Sequence, residues 1–383
     1  MHRRIGRAAA LVATATAAAT LTTAVPAVAG PASAHSDRRL LQQAVDDLAG
    51  YGITGVQALI RDGRRTAEAR AGVADITTNR PVPKNGYFRM GSNTKTFTSV
   101  ILLQLVGEGR LRLDDTVERW LPGVVTGNGN DGAAITVRQL LRHESGLANY
   151  TDYLALQTPE DFEAHRYDHW EDADLVRLAL AHPPLFAPGT DWSYSNTNYT
   201  VAGMIIERVT GKPWHAHLRQ RILQPAGMTQ TSFPGDDPDL PDPHAQAYES
   251  FPPDVPRYDA TRWNTTAAGA AGGLVTTPTD LSLFWQALRQ GRLLRPAEFR
   301  EMHRTVQISE NGSGYGLGVF RIPSECGELW GHDGGTPGMY TMDAVTPDGD
   351  RSVIISISSA PTDPANASAR ATQLINDALC QAR

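Results

Sequence analysis

The chain has 383 residues, 41% hydrophobic and 20% charged, enough to bury a sizeable core and incompatible with a disordered tail or a fibre. Thirty-five Lys+Arg against 41 Asp+Glu leave a net charge of −6, and with no basic block this excludes a protein built to bind nucleic-acid backbones. Only three of the 35 cations are lysines, Lys84, Lys95 and Lys212; arginine is used almost wherever a positive charge will serve. Residues 1–34 read as a secretory signal peptide. They have a charged start (His2, Arg3, Arg4, Arg7), an Ala/Thr/Val-rich stretch to about Val25, and small-residue cleavage patterns ending at Ala29 and Ala34. The stretch is short of the roughly 20 strongly apolar residues of a membrane span and is diluted by threonines, and no later segment could span a bilayer.

In the mature chain an amphipathic pattern (Leu40, Leu41, Ala44, Leu48) predicts a helix from Asp37 to about Gly50. The runs Gly55–Arg61 and Arg64–Ala71, joined by Asp62-Gly63, predict a hairpin. Residues 90 to 300 are mostly helical stretches broken by loops such as Gly127–Asn130 and the Pro-rich Pro234–Pro256 segment. Strands are predicted at Tyr315–Ile322, Gly327–His332, Gly338–Thr346 and Arg351–Ser358, then a helix from Ala367 to Gln381, with no internal repeat. This is an α+β pattern of two lobes in one catalytic domain, 35–383. Strands from both ends (35–89 and 305–383) share an antiparallel sheet flanked by the N- and C-terminal helices, and a mostly helical lobe (90–304) is inserted between them. Two lobes leave a cleft, where ligands most often sit.

Cys326 and Cys380 are the two cysteines. In an exported chain an even pair favours a disulfide, worth roughly 4 kcal/mol on the chain-entropy model; two separate buried thiols are the alternative. No motif surrounds either one, so neither reads as a nucleophile.

The strongest local signal is Gly91-Ser92-Asn93-Thr94-Lys95, opening a long apolar helix. Ser92 and Lys95 share a helical face. A serine becomes a nucleophile when a base takes its proton, and a lysine can be that base only if it loses its own. Arginine cannot, whereas a buried lysine shifts readily, so the scarcity of lysine singles out Lys95. Lowering its pKa from about 10.4 towards 7 requires roughly 4 to 5 kcal/mol of environmental bias. The plain alternative is a serine helix cap beside a solvated lysine. Tyr194 and Asn196, two apart in a loop, present a phenol and an amide to one pocket; the alternative is an aromatic loop packed on the core. Trp330–Gly338 is a glycine-rich strand edge with His332 beside it, able to let a backbone approach and to aim N–H groups at an oxyanion, or else a turn with a satisfied histidine. His165 and His169 lack the glutamate of a zinc H-E-x-x-H motif, and no G-x-S-x-G elbow occurs.

Together these pieces resemble the serine penicillin-recognising enzymes: DD-peptidases, class C β-lactamases and related esterases and D-peptidases. That family shows S-x-x-K, Y-x-N and K-T-G or H-x-G in this order. Here they stand as Ser92–Lys95, Tyr194–Asn196 and His332–Gly334. Leu140–Leu147 and Tyr315–Gly318 look like further, structural signatures. The resemblance spans the mature chain and is nearest to secreted D-alanyl-D-alanine carboxypeptidases with histidine in the third motif, a subgroup the cysteine pair also fits. It implies a β-lactamase/transpeptidase-like fold and attack by Ser92, with Lys95 and Tyr194 exchanging the proton. Asn196 would orient Lys95 and the substrate, and His332 would add positive charge. The N–H groups of Ser92 and Gly335 would form an oxyanion hole, each worth about 3 kcal/mol. Asn196, Asp333, Gly334, Trp263 and Phe320 are expected to meet the substrate. No cofactor or metal is implied. The expected ligands are D-Ala-D-Ala stem peptides of peptidoglycan and β-lactams, met by a secreted monomer with no nucleic-acid partner and no stable membrane span.

The chain departs from the carboxypeptidase pattern where the substrate's terminal carboxylate is read. Those enzymes resemble one another in placing a hydroxyl residue between the His and Gly of the third motif and an arginine on the preceding strand. Here Asp333 and Phe320 occupy those places, and Arg321, next door, points to the opposite face of a strand. A carboxylate pointing into the site would repel an anionic substrate. The expectation is therefore a carboxypeptidase, with an esterase or D-amino-acid amidase/peptidase as its main rival and a class C-like β-lactamase behind both.

Overall fold

The computed structural model describes residues 31–251 and 255–380. Of the expected leader, residues 1–30 lie outside the described residues, and helix α1 (Pro31–Gly50) opens at their end. Its Leu41, Ala44, Val45 and Leu48 are buried, as the amphipathic spacing requires. Strands β1 (Gly55–Asp62) and β2 (Arg65–Asp75) then fold back on each other across Gly63, which takes a left-handed φ of +58°.

The chain later returns to this sheet. After a helical lobe holding α2 (Thr94–Gly107), α3 (Asn196–Thr210) and α4 (Pro278–Arg289), it adds β3 (Phe320–Ser324), β4 (Gly327–Gly331), β5 (Asp333–Thr336), β6 (Met339–Val345) and β7 (Arg351–Ile357). It closes with α5 (Pro364–Cys380). The spatial order is β3-β4-β6-β7-β1-β2, antiparallel throughout, with β5 continuing β4's side of β6. The central pairing joins the two ends of the chain, from Val56 opposite Ile357 to Asp62 opposite Arg351. Both faces are covered, and this explains why three consecutive residues of β7, Val353–Ile355, are apolar and buried. Val353 and Ile355 pack with α1 and α5, whereas Ile354 joins the core of the helical lobe.

Helix α2, apolar on every side over its second half, is almost wholly buried at the centre of that lobe, with Phe97 stacked on Phe284 at 3.8 Å. The Pro-rich segment predicted as loop ends in a short hairpin, Tyr248–Phe251 against Val255–Asp259. The single strand expected at Tyr315–Ile322 is broken. Gly314–Tyr315 and β3 pair with each other, Tyr315 opposite Phe320, because Gly318 turns the chain at φ +77° and the Gly316 N–H bonds the Val319 carbonyl at 2.8 Å. Cys326 and Cys380 form a disulfide between the β3–β4 turn and the end of α5. Among the described residues no helix is long and apolar enough to cross a membrane.

Candidate active site

Ser92 stands in a 3₁₀ turn, Gly91–Asn93, that leads into α2. It does not cap that helix: Asn93 occupies the N-cap position and makes no side-chain cap bond. Gly91 adopts φ +53°, and a Cβ there would lie 2.6 Å from the Gly335 nitrogen. A Cβ on Gly334 would lie 2.1 Å from the Met90 carbonyl oxygen and 3.2 Å from the Ser92 nitrogen. The glycines of the third motif thus let β5 lie backbone against backbone beside the serine turn. Ser92 and Gly335 consequently line one cleft of about 370 Å³.

Lys95 is completely buried, contrary to the solvated alternative. Its Nζ lies 2.9 Å from Ser92 Oγ, 2.7 Å from Asn196 Oδ1 and 2.8 Å from the Ala271 carbonyl. Burial holds it well below the usual lysine range, opposed in part by Asp333. A neutral amine has two N–H donors and one lone pair. The Ala271 carbonyl can only accept, and Asn196 turns its oxygen to Lys95 because its nitrogen is engaged by Asn149 Oδ1 (3.1 Å) and Thr151 Oγ1 (3.3 Å). Both N–H donors are therefore committed, and the lone pair is left facing the serine hydroxyl.

Tyr194 and Asn196 flank Ser195, whose extended backbone (φ −145°, ψ 123°) sends both side chains the same way before α3 begins. The Tyr194 ring lies 4.8 Å from Lys95 Nζ. Burial drives its phenol well above 10, against the opposing pull of a hydrogen bond with Ser92. His143, in the Leu140–Leu147 run, packs behind that ring, tilted 34° with centroids 4.3 Å apart, and its Nδ1 accepts from Ser195 N–H (3.2 Å) and the Asn198 amide (3.1 Å).

In and beside the third motif four expectations fail, the charge of His332 and the places of Asp333, Gly334 and Phe320; Gly334 packs on the Met90 carbonyl and does not line the cleft. His332, with its side chain 0% exposed, was expected to carry positive charge; burial, reinforced by Lys95, pushes it down to about 4, so it is neutral near pH 7. Its Nδ1 donates to the Asp333 carbonyl at 2.6 Å, leaving Nε2 to accept from the Tyr315 hydroxyl at 2.9 Å. Asp333, with its side chain 71% exposed, does not enter the cleft. Successive strand residues alternate faces: Gly334 faces the serine turn, so Asp333 faces α5. Phe320 does not line the cleft either; it packs on the His332 ring at 4.8 Å, behind the motif. Trp263, by contrast, is in the wall.

Sequence reasoning missed Asn149, Thr151, Ala271 and Glu249. Asn149 and Thr151 offered a faint signal, two hydrogen-bonding side chains just after a motif run. Ala271 acts through its carbonyl, and Glu249 arrives from the hairpin after the Pro-rich segment; neither carried any signal. Glu249 accepts from Gly338 N–H and Ser250 N–H, each at 2.8 Å, at the rim of the cleft.

A serine whose proton can pass to a buried amine, in a cleft between an antiparallel sheet and a helical lobe, defines a serine hydrolase of the β-lactamase and penicillin-binding superfamily. The family model described as Beta-lactamase matches residues 38–377, and the chain belongs to that family. It is similar in structure to a D-stereospecific amidohydrolase from Streptomyces sp., with 41% identity, a TM-score of 0.83 and coverage of 90% of this chain and 99% of that one. It is also similar to a D-amino acid amidase from Ochrobactrum anthropi SV3, with 28% identity, a TM-score of 0.77 and coverage of 89% and 99%. In sequence it is 30% identical to penicillin-binding protein 4* of Bacillus subtilis over 71% of this chain, and the match spans 60% of that relative's length.

Proposed function

We propose that this protein is a D-stereospecific amidase that cleaves amides of apolar D-amino acids through an acyl-enzyme on Ser92. The charge of the cleft carries this reading. Among the described residues that line it, Glu249 alone is a charged side chain. A carboxypeptidase must hold a terminal carboxylate, and that calls for a cation; this cleft offers the sign suited to the free ammonium of an amino-acid amide. Leu154, Leu156, Phe251 and Trp263 supply an apolar wall for the side chain, and the likeness to the Streptomyces amidohydrolase supports the same reading.

In this mechanism Lys95, as the free amine, takes the Ser92 proton while Oγ attacks the amide carbonyl, and the N–H groups of Ser92 and Gly335 receive the developing oxyanion. The proton passes through the Tyr194 phenol to the leaving nitrogen, and ammonia departs. Water then attacks the ester, gives its proton up by the reverse route, and releases the D-amino acid. Asn196 keeps Lys95 aimed at Ser92. The corresponding esters enter by the same path. A D-Ala-D-Ala carboxypeptidase is the second reading, favoured by the identity to penicillin-binding protein 4*, with rapid β-lactam turnover as the third. Export, with residues 1–34 as a cleaved leader, is part of the proposal and is supported by the disulfide.

The test is to incubate the protein, Ser92→Ala and Glu249→Gln with D- and L-phenylalanine amide, N-acetyl-D-phenylalanine amide, a D-Ala-D-Ala peptide and a penicillin. Ammonia, D-alanine and intact mass are followed. D-phenylalanine amide should be the preferred substrate, with no turnover by Ser92→Ala. Glu249→Gln should raise KM about tenfold for the free-amine amide and leave the N-acetyl amide unchanged, as expected for one charge-assisted contact. Faster release of D-alanine than of ammonia would give the carboxypeptidase reading precedence, and rapid turnover of the penicillin would favour the β-lactamase.

A further inference from the structure

The β4–β5 edge pairs with β6 in one continuous register, Trp330 opposite Val345 and Asp333 opposite Met342, but the ladder is interrupted at His332. At that gap the His332 N–H donates not to a backbone carbonyl but to Oδ1 of Asp343, at 3.1 Å. On its other side the His332 carbonyl accepts from the amide of Asn93, at 3.3 Å. Both side chains are buried, Asn93 at 0% and Asp343 at 2% exposure. They come from different lobes: Asn93 follows Ser92 in the turn that heads α2, whereas Asp343 lies on β6. The Asn93 amide and the Trp285 indole also lie against the Asp343 carboxyl.

We propose that Asn93 and Asp343 are positioning residues that clamp the backbone of His332, one peptide group on each side of its Cα, between the lobes and so fix the spacing of the Ser92 turn from the Gly335 strand. The inference rests on the reading of Ser92 as nucleophile for its kinetic consequence, but not for its structural one. A ladder bond would have tied His332 to β6 alone. A side chain on each side ties the same residue to the serine turn as well, so the two N–H groups that face the substrate carbonyl are placed by one buried connection. Burial and the neighbouring Asp333 charge hold Asp343 well above the usual carboxylate range. Asparagine, which keeps Oδ1 as acceptor, should therefore replace it with little loss.

The test is a cycle of Asn93→Ala, Asp343→Ala and the double variant, with Asp343→Asn as the conservative control. It is read by thermal unfolding, by hydrogen exchange of the peptides spanning 90–93 and 331–336, and by kcat and KM on D-phenylalanine amide. Each alanine variant should lower kcat about tenfold to a hundredfold with KM nearly unchanged, the cost of a displaced catalytic donor. Each should also speed exchange in both peptides, including the one on the opposite lobe, and Asp343→Asn should restore both. The double variant should be little worse than the worse single one. Additive losses, or exchange confined to the mutated lobe, would overturn the clamp. If Asp343→Ala does not fold, Asp343→Asn with Asn93→Ala gives the same cross-lobe reading. If the wild type proves inactive on every amide and ester, the nucleophile reading fails, while unfolding and exchange still decide the clamp.

Discussion

Lys95 has three partners within 2.9 Å, of which only the Ser92 hydroxyl can return a hydrogen bond to it. Replacing it by arginine would set a permanently charged guanidinium, with no lone pair to offer, where the buried amine stands. Lys95→Arg should therefore abolish acylation by a penicillin or a D-amide, which intact-mass analysis would register as the absence of an adduct. The pH profile follows from the same atom. The amine is the active form and its pKa lies below that of a free lysine, so kcat/KM should rise with pH through that lowered value and fall as acid reprotonates Nζ. Tyr194, shifted the other way, should contribute no loss below pH 10. A profile still climbing above pH 10 would mean that Lys95 keeps an ordinary pKa. Composition pointed to this residue: in a chain that writes arginine for nearly every cation, a lysine at the head of an apolar helix was conspicuous. The charge state of His332 was not legible, because its neutrality depends on the Tyr315 hydroxyl and the Phe320 ring closing over it.

Strand β5 and the serine turn form a pair of elements whose contact is made by backbone. Gly334→Ala would push a methyl carbon to within 2.1 Å of the Met90 carbonyl oxygen, and with main chain on both sides neither partner can step aside. A clear fall in unfolding temperature should accompany a loss of activity larger than about tenfold, whereas Gly50→Ala at the end of α1, where an added Cβ meets nothing within 4 Å, should spare activity. At this scale the sequence was informative about which segments pair and poor on which way they face. The hairpin of β1 and β2, the return of β6 and β7 and both terminal helices followed from periodicity and turn residues within a few positions. The sequence pattern points Asp333 into the site and Phe320 at the substrate, and neither lines the cleft. Strand parity is set by the partner's register, and a single strand's pattern does not contain it. The break at Gly316–Val319 compounded this, since it refolds a presumed strand into a hairpin and carries Phe320 behind the histidine.

On the scale of the whole molecule, the disulfide joins the β3–β4 turn to the end of α5 across 54 residues. On the chain-entropy model, closing such a loop contributes about 4 kcal/mol. Neither cysteine lines the cleft. Reduction, or the double change Cys326→Ser and Cys380→Ser, should thus lower the unfolding temperature by several degrees and leave kcat and KM on a D-amide nearly intact at 25 °C. A kinetic defect in the still-folded reduced protein would show that α5 communicates with the site through β6 and the Asp333 side of β5.

The pairing of β1 with β7 has a consequence for synthesis. The central ladder of the sheet cannot form until residues 351–357 exist, so every earlier stage leaves the β1 edge of the hairpin unpaired, although β2 already has Arg80–Pro81 on its other side. Such a non-local closure gives a high contact order and slow assembly. The sheet that walls the cleft is therefore complete only when its last strand in chain order has been laid against its first.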